Sequence, residues 1–225
     1  MPAFYQPCRL TAAQGVKLHT MRKNQSPSKA ANTTTAKGSP SHELRIIGGQ
    51  WKRSKIKVID KPGLRPTPDR VRETLFNWLG QDLTGWRCAD AFAGTGALGF
   101  EAASRGALSV FMVEQDPQLV NLLLDTQKRL SANAVQVQKG DAMMALQRLA
   151  PSSLDVVFLD PPFEAVFFEK ALQAAAKAVA PEGWVYLEAP QKWQDDAIAA
   201  CQLVGVKYMK AGAVHAHLLQ RPSEG

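Results

Sequence analysis

From residue 86 to the C-terminus, short apolar runs alternate with longer stretches whose apolar positions recur every three or four residues. RCADAFA (87–93), SVFMVEQD (109–116), AVQVQKGD (134–141), LDVVFLD (154–160) and GWVYLEAP (183–190) have the length of strands. Consecutive apolar residues in several of them indicate strands covered on both faces, whereas strict alternation would leave one face wet. Between them, GALGFEAASRG (96–106), PQLVNLLLDTQKRLSA (117–132), AMMALQRLA (142–150) and AVFFEKALQAAAKAV (165–179) carry the helical period. Gly106 ends the first of these, Pro117 opens the second at a first-turn position, and Pro181 is expected to stop the last. A helical stretch near 191–200 precedes LVGVKYMKAG (203–212) and VHAHLLQR (214–221), which read as a closing hairpin. This alternation predicts an α/β fold: a mostly parallel seven-stranded sheet flanked by helices, with one antiparallel strand from the hairpin.

The earlier residues follow another pattern. RIIGGQWKRSKIKVID (45–60) reads as two short strands bent at Gly48-Gly49. In GLRPTPDRVRETLFNWLG (63–80), Thr67 or Asp69 is placed to cap a helix. Its apolar side carries Val71, Leu75, Phe76, Trp78 and Leu79, and Gly80 closes it. Residues 1–42 contain no acid, are rich in Ser, Thr, Ala, Asn and Gln, and show no hydrophobic period, so a disordered basic tail is expected. Sparse arginine and the lack of an amphipathic pattern put an organelle-targeting reading second. The chain therefore divides into a tail (1–42), a hairpin-and-helix extension (43–80) and the alternating domain (81–225).

Charge sharpens that division. Residues 1–72 hold 15 Lys and Arg against three acids, while residues 73–225 hold 12 against 17. Basic residues interleaved with apolar ones in 45–72 point to a surface for a polyanion. No apolar run approaches the roughly 18 residues of a membrane span. Cys8, Cys88 and Cys201 are far apart and odd in number, which argues against disulfides or a zinc site and for a reducing, cytoplasmic setting. His215 and His217 share a strand face, but with no third ligand apparent they read as satisfied strand positions, and no metal is expected. Met143-Met144 and Phe167-Phe168 read as core.

Candidate chemistry lies at the strand ends. Gly94, Gly96 and Gly99 follow the first strand of the alternating domain, where glycine permits a tight turn and close approach of a ligand. Glu114 closes the next strand, twenty residues after Gly94, the place from which an acid reaches ribose hydroxyls; Asp116 is its rival. The same triplet fits a dinucleotide site, so a nicotinamide oxidoreductase is an alternative. Asp90, four residues before Gly94, would repel a pyrophosphate and welcome an ammonium. Asp90-x-Phe92-x-Gly94-x-Gly96 therefore suits S-adenosylmethionine, with its amino acid end near Asp90 and adenosine at Glu114. Asp141, followed by Ala142, is placed both to meet the adenine amino group and to cap the next helix.

A second site ends the strand LDVVFLD. Asp160-Pro161-Pro162-Phe163 places a carboxylate beside two rigid residues that lack N–H donors, leaving carbonyls that only accept. Carboxylate and carbonyl together form an acceptor pair for an –NH2 group, and Phe163 offers a stacking face worth about 1–3 kcal/mol per base. Accepting both N–H bonds localises the lone pair of an aromatic amine and aims it at a methyl donor. Glu188, closing the fifth strand, is expected exposed at the same edge, without an assigned role.

These residues carry a resemblance. Asp90-x-Phe92-x-Gly94-x-Gly96 followed by Asp-Pro-Pro-Phe is similar to amino-methyltransferases with an (Asn/Asp)-Pro-Pro-aromatic motif, in which the position of Phe92 often departs from glycine. With RIIGGQWKRSKIKVID and GLRPTPDRVRETLFNWL, the stretch 44–220 resembles the RsmD family, bacterial guanine-N2 methyltransferases of 16S ribosomal RNA. The resemblance implies a class I, Rossmann-like methyltransferase fold, S-adenosylmethionine as donor and a guanine of 16S rRNA as acceptor, in free RNA or a small-subunit assembly particle, handled by a monomer. An extruded guanine requires compensating phosphate contacts, for which Arg45, Lys52, Arg53, Lys55, Lys57, Arg65 and Arg70 are candidates, with Trp51 as a further stacking platform. Arg70 and Arg72, two apart on a helix, face differently, and one of them is expected to pair with Glu73 or a cofactor carboxylate. The nearest rival is another amine methyltransferase of this fold, such as one for adenine N6 of DNA.

Overall fold

The computed structural model describes residues 43–62, 64, 67–162 and 167–223. The expectations for the tail 1–42, Arg65 and Phe163 lie outside these residues. Among the described residues fifteen elements follow one another: β1 Glu43–Arg45, β2 Lys55–Lys57, α1 Asp69–Trp78, β3 Arg87–Asp90, α2 Ala97–Ser104, β4 Ser109–Glu114, α3 Pro117–Leu130, β5 Val135–Lys139, α4 Ala142–Arg148, β6 Leu154–Leu159, α5 Phe168–Ala178, β7 Val179–Ala189, α6 Asp195–Ala200, β8 Val204–Ala211 and β9 Val214–Gln220.

Seven strands form one sheet in the order β5-β4-β3-β6-β7-β9-β8, and β9 alone runs against the others. The chain winds outward from β3 to β4 and β5, then returns to place β6 on β3's other side. That reversal opens a crevice beyond the carboxyl ends of β3 and β6. Along β6, Val156 and Phe158 enter the core on one face, while Val157 and Leu159 enter the core on the other. This dual burial explains its unbroken apolar run.

The antiparallel pair β1–β2 and helix α1 pack on the first of these cores through Ile46, Ile56, Val71, Leu75 and Phe76. A buried ionic knot ties them to α2. The carboxylate of Glu101 accepts from the backbone N–H groups of Ile47 (2.8 Å) and Gly48 (2.7 Å), from Arg72 (3.3 Å) and from Arg105 (2.8 Å). Arg72, wholly buried, also donates to the Arg45 carbonyl (3.0 Å) and to Asp69 (2.6 Å). Pairing with two carboxylates and the bonds of both terminal nitrogens make such burial tolerable, although Arg72 Nε is left without a partner among the described residues. The bend is glycine by necessity: a Cβ on Gly49, at φ +71°, would lie 1.8 Å from the Ser104 carbonyl oxygen.

Several expectations need correction. Arg72 pairs with Glu101 and Asp69 rather than Glu73, because its helix face turns into the core. Pro68 occupies the cap position of α1 with no side-chain cap bond; Asp69 is already inside the helix, its carboxylate on Arg72. Pro181 does not stop α5, which ends at Ala178; it lies within β7, where the pairing with β6 slips between Leu154 and Val156. Irregular pairing is where a sheet accepts a residue without an N–H. Met144 is 53% exposed rather than core.

Candidate active site

The carboxyl ends of β3, β4, β6 and β7 bring Asp90, Glu114, Asp160 and Glu188 to one rim, around a cavity of about 940 Å3. Phe92, Gly94, Asp116, Asp141, Ala142, Pro161 and Pro162 line it as well. The glycine loop and the Asp-Pro-Pro turn, 66 positions apart from Gly94 to Asp160, thus face one space because β3 and β6 are adjacent parallel strands.

The loop after β3 is held from both ends. Gly94 N–H donates to one oxygen of Glu114 (2.8 Å), and Asp116 N–H donates to the other (2.9 Å). Each oxygen keeps a second lone pair for a ligand hydroxyl. Gly94 and Gly96 have φ of +52° and +78°, and a Cβ on Gly96 would meet Leu123 at 2.6 Å and Phe100 at 2.7 Å. The third glycine serves packing: a Cβ on Gly99 would come within 2.9 Å of Met112. Asp90, only 2% exposed, accepts the Gly99 N–H (2.9 Å). Burial, opposed by that bond and reinforced by the charges of Glu114 and Glu188, pushes its pKa up to about 7.

Asp116 has structural duties. Its carboxylate caps α3 through Gln118 N–H (2.9 Å) and Leu119 N–H (3.1 Å) and forms an ion pair with Lys61. The Lys61 ammonium and these N–H groups hold its pKa below the usual range. Asp141 caps α4 through Met144 N–H (2.8 Å) at the cavity wall. At the second site Pro161 is buried and Pro162 exposed, and Thr67 directs its hydroxyl toward Asp160 at 3.5 Å.

Sequence reasoning missed the segment that covers this cleft. Lys61, Pro62, Leu64, Thr67 and Pro68, between β2 and α1, line the cavity opposite the strand ends. No local pattern signals a connection that crosses a site. Glu188, expected exposed, is 2% exposed and accepts the Tyr186 hydroxyl (2.9 Å), because β9 covers the strand that carries it. Burial and the Glu188 charge raise the Tyr186 pKa, keeping that hydroxyl a donor. Phe167 stacks on Phe92 with ring centroids 6.0 Å apart and planes inclined by 11°.

The cavity has the size of a nucleoside-containing ligand's site. Its donor set fits S-adenosylmethionine chemistry: a buried carboxylate of raised pKa is held charged by a cation, and a glycine cradle leaves room for an adenosine. Arg45, Lys52, Arg53, Lys55, Lys57 and Arg70 are exposed on β1, β2, their turn and α1. Lys55 is paired with Glu43 at 2.6 Å, and Trp51 lies half-buried against the core.

A family model described as Conserved hypothetical protein 95 matches residues 44–220. The protein named Ribosomal RNA small subunit methyltransferase D of Escherichia coli K12 is 42% identical over 153 residues, spanning 67% of this chain and 76% of its own. The Haemophilus influenzae protein of the same name is 41% identical over 165 residues, spanning 71% and 83%. Among solved structures, "Putative methyltransferase yhhF from Escherichia coli" superposes with a TM-score of 0.70 at 34% identity, covering 81% of this chain and all of that one.

Proposed function

The chain belongs to the RsmD family, and on that premise we propose that it transfers a methyl group from S-adenosylmethionine to the exocyclic N2 amine of a guanine in 16S ribosomal RNA. The observation that carries this reading is one cavity holding both the Gly94–Glu114 cradle and the Asp160-Pro161-Pro162 turn. The relatives' names support ribosomal RNA of the small subunit as the substrate.

When bound, the cofactor would supply a methyl carbon made electrophilic by its sulfonium, with the thioether sulfur as leaving group for the amine. Asp90 receives the ammonium of the donor's amino acid end, Glu114 the ribose hydroxyls, and Asp141 with Ala142 the adenine edge. The Asp160 carboxylate and a prolyl carbonyl accept the two N–H bonds of the guanine amine, which raises electron density on nitrogen and fixes its direction of attack. Nitrogen sheds one proton after attack, and Asp160 is the nearest base of this turn. Phe163 stacks on the guanine. Exposed cations of the β1–β2 turn bind the flanking phosphates.

Asp160→Ala tests the assignment. It should abolish tritium transfer to small-subunit rRNA while calorimetry still shows adenosylhomocysteine binding; full activity in that variant removes Asp160 from the reaction. Mass-spectrometric mapping of N2-methylguanine in rRNA from cells with and without the protein tests the base and atom.

A further inference from the structure

A second strip of aromatic and cationic side chains leaves the cleft on the sheet face away from the β1–β2 pair. Phe167, stacked on Phe92 in the cavity wall, is followed by Phe168, whose ring lies 6.4 Å from Trp193. The backbone N–H of Trp193 donates to His217 Nε2 (3.1 Å), and the His217 ring lies 5.1 Å from Tyr208. Tyr208 stands opposite His217 and Lys210 opposite His215 in the β8–β9 register, so the four share one face. The Tyr208 hydroxyl bonds His215 Nδ1 at 2.9 Å, and Lys192 Nζ sits over its ring at 5.1 Å. The cluster adjoins the active rim, since His215 pairs with Ala189 and His217 with Leu187 at the carboxyl end of β7.

Tyr208 is 40% exposed, Lys192 and Lys210 are exposed, and β8 is the outermost strand of the sheet. Both histidine rings lie against the tyrosine ring, at 5.9 and 5.1 Å, and the exposed Lys192 ammonium lies over it. Charge is selective here. Residues 203–223 contain Lys207, Lys210 and Arg221 and no acid, although residues 73–225 as a whole carry an excess of acids. Of the acids in the first turn of α6, Asp195 faces Gly205, three positions before Tyr208 on β8. Aromatic faces interleaved with lysines match a single strand of nucleic acid, which offers π-faces and phosphates in alternation. They match an apolar protein strand poorly, since edge lysines oppose strand addition.

We propose that this strip binds single-stranded RNA flanking the target nucleotide, with a base on Tyr208 and phosphates on Lys192 and Lys210. The inference rests on the RNA reading above and adds a second contact on the sheet face away from the basic turn. A lysine lying on an aromatic ring is readily exchanged for a base, because the ammonium then moves to the adjoining phosphate.

Fluorescence anisotropy with a labelled 15-nucleotide oligouridylate, titrated at several salt concentrations, tests it. Tyr208→Ala should weaken binding by about 5- to 150-fold, and Tyr208→Phe, which keeps the ring, should bind as the native protein does. The Lys192→Ala/Lys210→Ala variant should lower the slope of log affinity against log salt by about 1.4. Lys177→Ala, on the opposite rim, should change neither quantity. Adenosylhomocysteine calorimetry confirms that each variant is folded. Native affinity and slope in both Tyr208→Ala and the double-lysine variant would overturn the proposal. So would a change in sedimentation without a change in oligonucleotide binding, which would make this edge a protein interface. If the native protein fails to methylate rRNA while the anisotropy shifts appear, the strip stands and the proposed reaction falls.

Discussion

Acidification should weaken adenosylhomocysteine binding in proportion to protonation of Asp90. That carboxylate is 2% exposed, has the Gly99 N–H as a partner, and faces Glu114 and Glu188 as like charges. With its pKa at about 7, roughly half of the free protein carries it protonated at neutrality. A ligand ammonium about 4 Å away contributes about 4 kcal/mol at a near-surface effective dielectric, enough to pull that pKa down by about three units. Proton and ammonium then compete. Affinity is at its plateau above neutrality and falls about twofold at pH 7, about tenfold at pH 6 and about a hundredfold at pH 5. Stability of the free protein moves the other way. Because the folded pKa lies above the ordinary 3.8, the native state holds the extra proton, and the Asp90 contribution to the melting temperature should rise as pH falls from 8 toward 5, opposed by His217, whose burial lowers its pKa. Calorimetry across pH 5–8 measures the first effect and a thermal melt the second. Asp90→Asn should flatten both curves and bind below the native plateau. A native affinity independent of pH, or an unchanged slope in Asp90→Asn, would refute the placement of the ammonium beside this residue.

Two further outcomes follow from the extension. Glu101→Gln should cost about 3–5 kcal/mol in urea denaturation, because Arg72 would remain buried against a neutral amide; a change within error would mean that Asp69 alone satisfies that guanidinium. Lys52→Ala/Arg53→Ala/Lys55→Ala should reduce the salt slope of rRNA binding by roughly 0.7–0.9 per lost phosphate contact while sparing adenosylhomocysteine affinity. Lys55 should contribute least, since Glu43 already pairs with it; an unchanged slope removes this turn from the RNA surface.

What could be read in the sequence was what is local. A strand buried on both faces announces itself by composition, so β6 and its place at the rim followed from LDVVFLD. A glycine loop between strand and helix fixes where Asp90 and Glu114 emerge, because parallel strands share a direction. Helix α5 misled at its end: an alanine-rich run suits a helix, and only pairing with Leu154 makes Val179 a strand residue. Arg72 and Glu101 are 29 positions apart, and nothing in either helix alone required an ion pair. A signal was present nonetheless, since Glu101 is the one charged residue in the wholly buried helix ALGFEAAS.

The knot gives the extension a role beyond carrying charge. Glu101 sits on the helix that follows the cap residue Gly96, and its carboxylate grips the backbone at Ile47 and Gly48. Further along the same extension, Leu64 lies 3.4 Å from where a Cβ on Gly94 would stand, and Thr67 faces Asp160. The segment from β2 to α1 thus touches the glycine loop and the Asp-Pro-Pro turn while both of its ends are anchored to one helix and one core. The Glu101 carboxylate therefore holds the basic β1–β2 turn through Ile47 and Gly48 and helix α1 through Arg72, and with them the segment that lines the rim.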